Sequence, residues 1–226
     1  ELYLGAAGSE PQDDFEKWKK SVPRDLPCVR IRTVKKAPVI DGKIEELYSK
    51  NCRPMTFRFM DNRDTKPTMP TTAWIVCDEK HLYVAVRCES PNPEKIPASR
   101  TTRDASVWKD EVVEFFIDPE NTRWKLYYHL IVNSIGTTQD ASEQFNKAWD
   151  PDIDRKIQKT EKAWILEAAI PFSEFGIPPG GREKIWSFNM VRSAYLENGD
   201  VEEQAWSPIG NASSHVPEMF GFLYFE

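Results

Sequence analysis

Carboxylates crowd one short stretch of this chain. Asp110, Glu111, Glu114 and Asp118 fall within VWKDEVVEFFIDP, and Glu167 recurs in WILEAAIPF. Two carboxyl groups flanking a glycosidic bond can serve as general acid and as base or nucleophile. Spacing alone marks no such pair here, because carboxylates populate any acidic surface. Cys28, Cys52, Cys77 and Cys88, with His129 or His215, supply the residue types of a thiol nucleophile and its base, yet no local signature surrounds them. GxSxG, GxGxxG, HExxH and the phosphate loop are all missing, so the text points away from catalysis. Trp108 is the exception. It heads the acidic segment with polar residues on both sides, where an indole finds little core to join. A flat apolar ring in that setting suits stacking against a ligand; the competing reading is that it packs over the rim of the fold.

The elements that must position these residues are short and β-rich. In TTAWIVCDEKHLYVAVRC a four-residue turn, Asp78 to His81, pairs Cys77 with Leu82 and Ile75 with Val84. Ile75, Cys77, Leu82, Val84 and Val86 then share one buried face, as in a half-buried antiparallel pair. A polar, Pro-containing loop follows from Glu89 to Ser106. In VVEFFIDP, Val113, Phe115 and Ile117 face one way, and Val112, Glu114 and Phe116 the other. CVRIRTV, LYYHLIVNSIGTTQDA with Gly136 as pivot, AWILEAAIPFSEFG, IWSFNMVRSA and FGFLYFE read as further strands, and IEELYSK as a helical turn. Trp206 in AWSP reads as core, and Trp74, Trp164 and Trp186 as core or sheet surface. Turn signals about every ten residues, seventeen prolines and the lack of long amphipathic helices predict an all-β, antiparallel β-sandwich, jelly-roll-like in style. Residues 1–27 form an N-terminal extension in which DDFEKWKK makes a short helix, and residues 28–226 form the sandwich.

Composition narrows the function classes. A formal charge of -6 and no basic stripe argue against nucleic acid as a partner. No apolar run approaches the roughly 18 residues needed to span a bilayer. The chain begins ELYLGAAGSE, without Met or a signal-like apolar core, which reads as a processed or trimmed start. Eight Trp, seven Tyr and twelve Phe supply core residues and also permit an aromatic binding surface. Cys77 and Cys88 share a hairpin face about six residues apart, on the order of 20 Å and too far for a disulfide. A Cys28–Cys52 disulfide and four reduced, buried thiols stay open as alternatives.

The order of segments carries more than any one of them. APVIDGKIEELY, DEKHLYVAV, VWKDEVVEFFIDP, YYHLIVNSIG, WILEAAIPFSEFG, WSFNMVR, and AWSP with PEMFGFLYF follow one another collinearly from about Ala37 to Phe225. This series resembles the family 9 carbohydrate-binding modules. The resemblance implies a non-catalytic β-sandwich that binds plant-type polysaccharide or oligosaccharide, such as xylan- or cellulose-derived chains. It places the protein outside the cytoplasm (extracellular, cell-surface or periplasmic), with a glycoside hydrolase in the same chain or complex as partner. It assigns Trp108 as one face of a tryptophan clamp and Glu114 as the carboxylate that accepts from sugar hydroxyls. Arg192 becomes a further ligand contact on a late strand, or else half of a structural pair with a carboxylate such as Glu114. The second clamp tryptophan has no counterpart before PEMFG, where His215 is the ring available, and the family's arginine has no match in YYHLIVN.

The resemblance also admits structural calcium, for which RDASVWKDE and WDPDIDR hold oxygen-rich text; neither is an EF-hand loop. Related sandwiches bind b-type haem, which His129, His215, Met55, Met60 and Met190 would have to ligate, and others serve as ligand-free surface-assembly domains. Asn211-Ala-Ser fits a glycosylation sequon.

Overall fold

The alternation in TTAWIVCDEKHLYVAVRC becomes an antiparallel hairpin in which Cys77 faces Leu82 and Ile75 faces Val84, the expected register. The computed structural model describes residues 13–142, 146–210 and 213–226. Residues 1–12 of the extension and two residues of the sequon lie outside that set.

Thirteen strands occur among the described residues. The first five are β1 (Cys28–Ile31), β2 (Met55–Thr56), β3 (Arg58–Phe59), β4 (Thr71–Cys77) and β5 (His81–Glu89). Then come β6 (Val112–Asp118), β7 (Tyr128–Asn133), β8 (Thr138–Ser142), β9 (Asp154–Lys159) and β10 (Ala163–Pro171). The chain closes with β11 (Ile185–Tyr195), β12 (Val201–Ala205) and β13 (Gly221–Phe225). Helices are confined to α1 (Asp14–Lys19), α2 (Glu46–Asn51) and short 3₁₀ turns.

These strands form two sheets. One runs β1-β13-β11-β6-β7-β8, with β12 and β3 attached beside the second half of β11; the other runs β2-β4-β5-β10-β9. Every pairing of named strands is antiparallel except β1 with β13, which is parallel. The sandwich read from the sequence is therefore correct, with one parallel edge added. Four strands escaped the sequence reading: the two-residue β2 and β3, and β9 (DRKIQK) and β12 (VEEQA), the last two nearly devoid of apolar alternation. Gly136 pivots the β7–β8 turn at φ 89°, a left-handed conformation that a side chain would strain.

The core lies between the sheets. Val113, Phe115 and Ile117 of β6 meet Trp164 and Leu166 of β10, while Trp186 and Phe188 enter from β11. Trp206 joins this cluster, as its sequence context predicts, and Trp74 packs against it half-buried. All four cysteines are free thiols, with Cys52, Cys77 and Cys88 buried. Removing so many aromatic and branched side chains from water, at about 1.5–3 kcal/mol each, is what holds the layers together.

The outer face of the larger sheet is not a plain solvent face. Helix α1 docks on one end of it: Phe15 and Trp18 pack on Tyr224 at 5.3 and 5.1 Å between ring centres. Asp13 caps the helix by accepting from the Phe15 N–H. The middle is covered by Ile209, Val216, Met219 and Phe220, which close over Phe116, Tyr127 and Val191. What stays open lies over β6, β7 and β8.

Candidate functional site

Trp108 is held out to solvent by a turn that is itself locked down. Ser106 enters the 3₁₀ turn Val107–Lys109 at φ 57°. Val107 is wholly buried against Val112 and Ile131, and its N–H donates to Gln139 Oε1 at 2.8 Å. After the turn, Asp110 accepts from Arg100 N–H at 2.8 Å, Asn133 Nδ2 at 2.9 Å and Ser99 Oγ at 3.1 Å. Burial alone would raise its pKa, but those donors outweigh burial and hold the carboxyl below its ordinary range. Tyr195 Oη donates to Lys109 O at 3.0 Å, and Lys109 Nζ lies 5.3 Å from the centre of the Trp108 ring. With its backbone pinned on both sides, the indole remains 52% exposed, an orientation that costs the core nothing.

Beside it, the outward-facing residues of β6 and β7 form a floor. Glu114 Oε2 and His129 Nε2 are 2.7 Å apart. His129 stacks on Phe116, its partner in the β6–β7 register, at 4.3 Å and 16°. His215 stands perpendicular to both rings, 4.9 Å from His129 and 5.3 Å from Phe116. Its Nδ1 lies 2.6 Å from Tyr127 Oη. Burial, and then the neighbouring His129 charge, push its pKa down to about 4, against the pull of Glu114. His215 is thus a neutral ring at pH 7, packed edge-on into the covering segment. Together with Ile131, Gln139, Lys147 and Ser214, these groups enclose a cavity of 340 Å³. That volume suits a small ligand.

Three of the four residues singled out in the sequence meet here: Trp108, Glu114 and His215. Arg192 does not, and its assignment as a ligand contact is corrected. The alternation of β11 turns it inward, where it is fully buried and bonded to Glu111 Oε1 at 2.6 Å. Its other donors reach Glu89 O, Met69 O and Thr71 Oγ1 at 2.9, 3.1 and 3.2 Å. The structural pairing was foreseen in kind, but its carboxylate is Glu111 rather than Glu114. In turn Glu111 accepts from Trp164 Nε1 at 2.6 Å, which ties the two sheets together.

His129, Gln139 and Lys147 were not recognised as site residues. The signal for His129 was register: it sits opposite Phe116 and one outward step from Glu114 on the neighbouring strand. Among the carboxylates that suggested acid–base chemistry, Glu111, Asp118 and Glu167 are wholly buried elsewhere, so only Glu114 lines the cavity. Asp140 borders it, yet its side chain ion-pairs with Arg103 at 2.5 Å, and burial raises its pKa to about 6.

Among the described residues, no group of three or more His, Cys, Asp or Glu side chains is placed to hold a metal ion. Within the oxygen-rich segments, Asp104 accepts from Asp140 N–H and Asp150 pairs with Arg103. The haem ligand set is divided: Met55 and Met190 lie between the sheets, whereas His129 and His215 stand on the outer face and Met60 is sealed in the cluster around Phe116. Among the described residues no helix is long and apolar enough to cross a membrane.

Comparison with known proteins bears on the family and the fold. The sequence profile of the family described as Carbohydrate family 9 binding domain-like matches residues 40–224. Exoglucanase XynX of Acetivibrio thermocellus is 24% identical over 163 residues, which is 72% of this chain and only 14% of that protein's length. A family 9 carbohydrate binding module from Caldicellulosiruptor kristjanssonii in complex with cellotriose superposes with a TM-score of 0.67 at 14% identity, over 88% of this chain and 94% of that one. A module of the same family and organism in complex with glucose gives 0.64 at 15% identity, over 87% and 95%. A candidate carbohydrate-binding protein from Bacteroides uniformis gives 0.71 at 19% identity, over 89% and 100%. At those identities the structural likeness shows a shared fold. The profile spans most of the sequence, and on that ground the chain belongs to the Carbohydrate family 9 binding domain-like family.

Proposed function

We propose that this protein binds carbohydrate, without cleaving it, in the cavity between Trp108 and His215. The observation that carries the reading is the rigid presentation of Trp108 beside a hydrogen-bonding carboxylate–histidine couple. A sugar ring has an apolar C–H face and a polar hydroxyl edge. The indole offers the first a flat surface with little entropy to lose, and Glu114 offers the second a charge-assisted acceptor. Of the two carboxylates lining the cavity, Asp140 is tied to Arg103, which leaves Glu114 to meet a ligand and supports binding over hydrolysis, which needs two. The solved family 9 modules hold cellotriose and glucose, so plant-type glucans and xylans are the first ligands to try.

The matched stretch of XynX belongs to an exoglucanase, which supports a role as a tether that keeps a glycoside hydrolase on its substrate, in the same chain or complex. Such a tether works outside the cytoplasm, at the cell surface, in the periplasm or beyond.

The test is isothermal titration with cellotriose and xylotriose, backed by a glycan array. Trp108→Ala should weaken binding about tenfold or more, since stacking of this kind contributes on the order of 1 kcal/mol beyond area burial. Its melting temperature should stay within about 1 °C of wild type, because removing an exposed side chain leaves the core intact. A wild-type protein that binds nothing on the array, or a Trp108→Ala variant that binds equally well, would sink the reading.

A further inference from the structure

On a chain of net charge -6, two ammonium groups stand at or beside the binding cavity. Lys147 lines the cavity, and Lys109 sits over the Trp108 ring. Neither forms an ion pair among the described residues, although lysines elsewhere do, as Lys50 with Glu46 and Lys159 with Glu94. The acids nearby are already compensated. His129 holds Glu114 at 2.7 Å and Arg103 holds Asp140 at 2.5 Å. Glu203, on β12, accepts from Ser193 Oγ at 2.9 Å, and burial, together with the Glu114 charge, pushes its pKa up. Gln139 has committed its Oε1 to Val107, so its remaining polar function is the NH₂ donor. The free polar capacity around Trp108 is therefore mainly cationic or donating, on a surface that otherwise repels anions.

Resting on the carbohydrate reading above, we propose that the sugar held at Trp108 is a hexuronate. Its C–H face stacks on the indole and its C6 carboxylate lies among Lys147, Lys109 and the Gln139 amide. A neutral hexose meets the same indole but leaves both ammonium groups unanswered. An isolated anion gains the charge but not the stacking. The lysines are solvent-exposed at the rim, so their attraction is of the screened, surface kind and must weaken with salt.

The experiment titrates the protein with methyl glucuronide and methyl galacturonide and with the matching methyl glucoside and methyl galactoside, which differ only at C6. Binding is followed by NMR shifts at 20 mM and 500 mM NaCl. At low salt at least one uronide should bind roughly tenfold better than its neutral partner, and high salt should erase most of that preference. Lys147→Gln and Lys109→Gln should each cut the ratio of uronide to neutral-glycoside affinity about threefold. Acetate at equal concentration should not compete. Equal binding of uronides and neutral glycosides overturns the hexuronate while leaving the sugar site standing. Binding of none of the four overturns both, and effective competition by acetate overturns the hexuronate in favour of an unspecific anion site.

Discussion

Two carboxylates three positions apart, Glu111 and Glu114, each meet a basic side chain at almost the same distance, and the two pairs do opposite work. Glu111 and Arg192 are 2.6 Å apart, with both side chains at 0% exposure. Glu114 and His129 are 2.7 Å apart, with 11% and 12% of their side chains exposed. The first pair sits between the sheets, where Trp164 Nε1, Tyr195 N, Met69 O, Thr71 Oγ1 and Glu89 O compensate the charges and Arg192 Nε alone of the guanidinium nitrogens has no partner. The second pair sits on the outer face at the mouth of a cavity. Glu114 can exchange a bond to its histidine for one to a ligand without stranding a charge in a dry interior. Burial, not the chemistry of the pair, separates a structural knot from a binding group.

Breaking the buried pair should have the largest effect. Glu111→Ala leaves the Arg192 guanidinium charged and unpaired between the sheets, at a cost of about 3–5 kcal/mol. For a domain of this size that corresponds to a fall in Tm of roughly 10 °C or more, read by thermal denaturation. The double variant Glu111→Leu with Arg192→Met should recover more than half of the loss, since the desolvation cost disappears with both charges. If Glu111→Ala melts within about 2 °C of wild type, water reaches Arg192 and the contrast between the two pairs collapses.

The outer pair should behave in the reverse sense. Glu114→Gln keeps the shape and one acceptor but removes the charge, so stability should change by less than about 1 kcal/mol. Affinity for a bound sugar should drop about fivefold to tenfold, the difference between a charge-assisted and a neutral hydrogen bond. Titration of the variant beside wild type checks both numbers. Unchanged affinity would make Glu114 a bystander and shift the site's recognition onto Gln139 and Lys147.

The contrast also explains what the sequence could and could not tell. The hairpin register, the inward set of β6 and the burial of Trp206 were legible, because alternation and turn residues are local signals, whereas Trp164 and Trp186 were left between core and sheet surface. The exposure of Trp108 was legible from the polar run around it, although its immediate neighbour Val107 enters the core. Strands β9 and β12 were not, since edge and attached strands carry few apolar residues and take their form from the partner strand. Arg192 and Glu111 lie 81 residues apart, and nothing local says that a buried arginine will find its acid. His129 was hidden for a related reason: its place beside Glu114 exists only once β6 and β7 are in register.

The smallest expected effect probes the ring that stands where a second indole is absent. The His215 pKa is pushed down to about 4 from an ordinary value of 6.5, by burial first and then by the His129 charge. As pH falls below 6.5 the unfolded chain takes up this proton before the folded one does. The stability contributed by neutral His215 is therefore complete above 6.5 and is lost progressively down to about 4. Asp140 runs the other way: its pKa, raised to about 6 by burial, gives stability that is present below 3.8 and lost as pH rises through 6. The two partly cancel in wild type, so the comparison must be with a His215→Asn variant. Asn keeps a polar atom near Nδ1 for Tyr127 Oη and does not titrate. Between pH 6.5 and 4, wild type should lose about 1–2 kcal/mol more than the variant in urea unfolding, a figure reduced for partial solvent screening. Parallel pH profiles would mean that His215 protonates as freely folded as unfolded. Its ring would then be loose enough to face a sugar, and the cavity would carry two platforms instead of one.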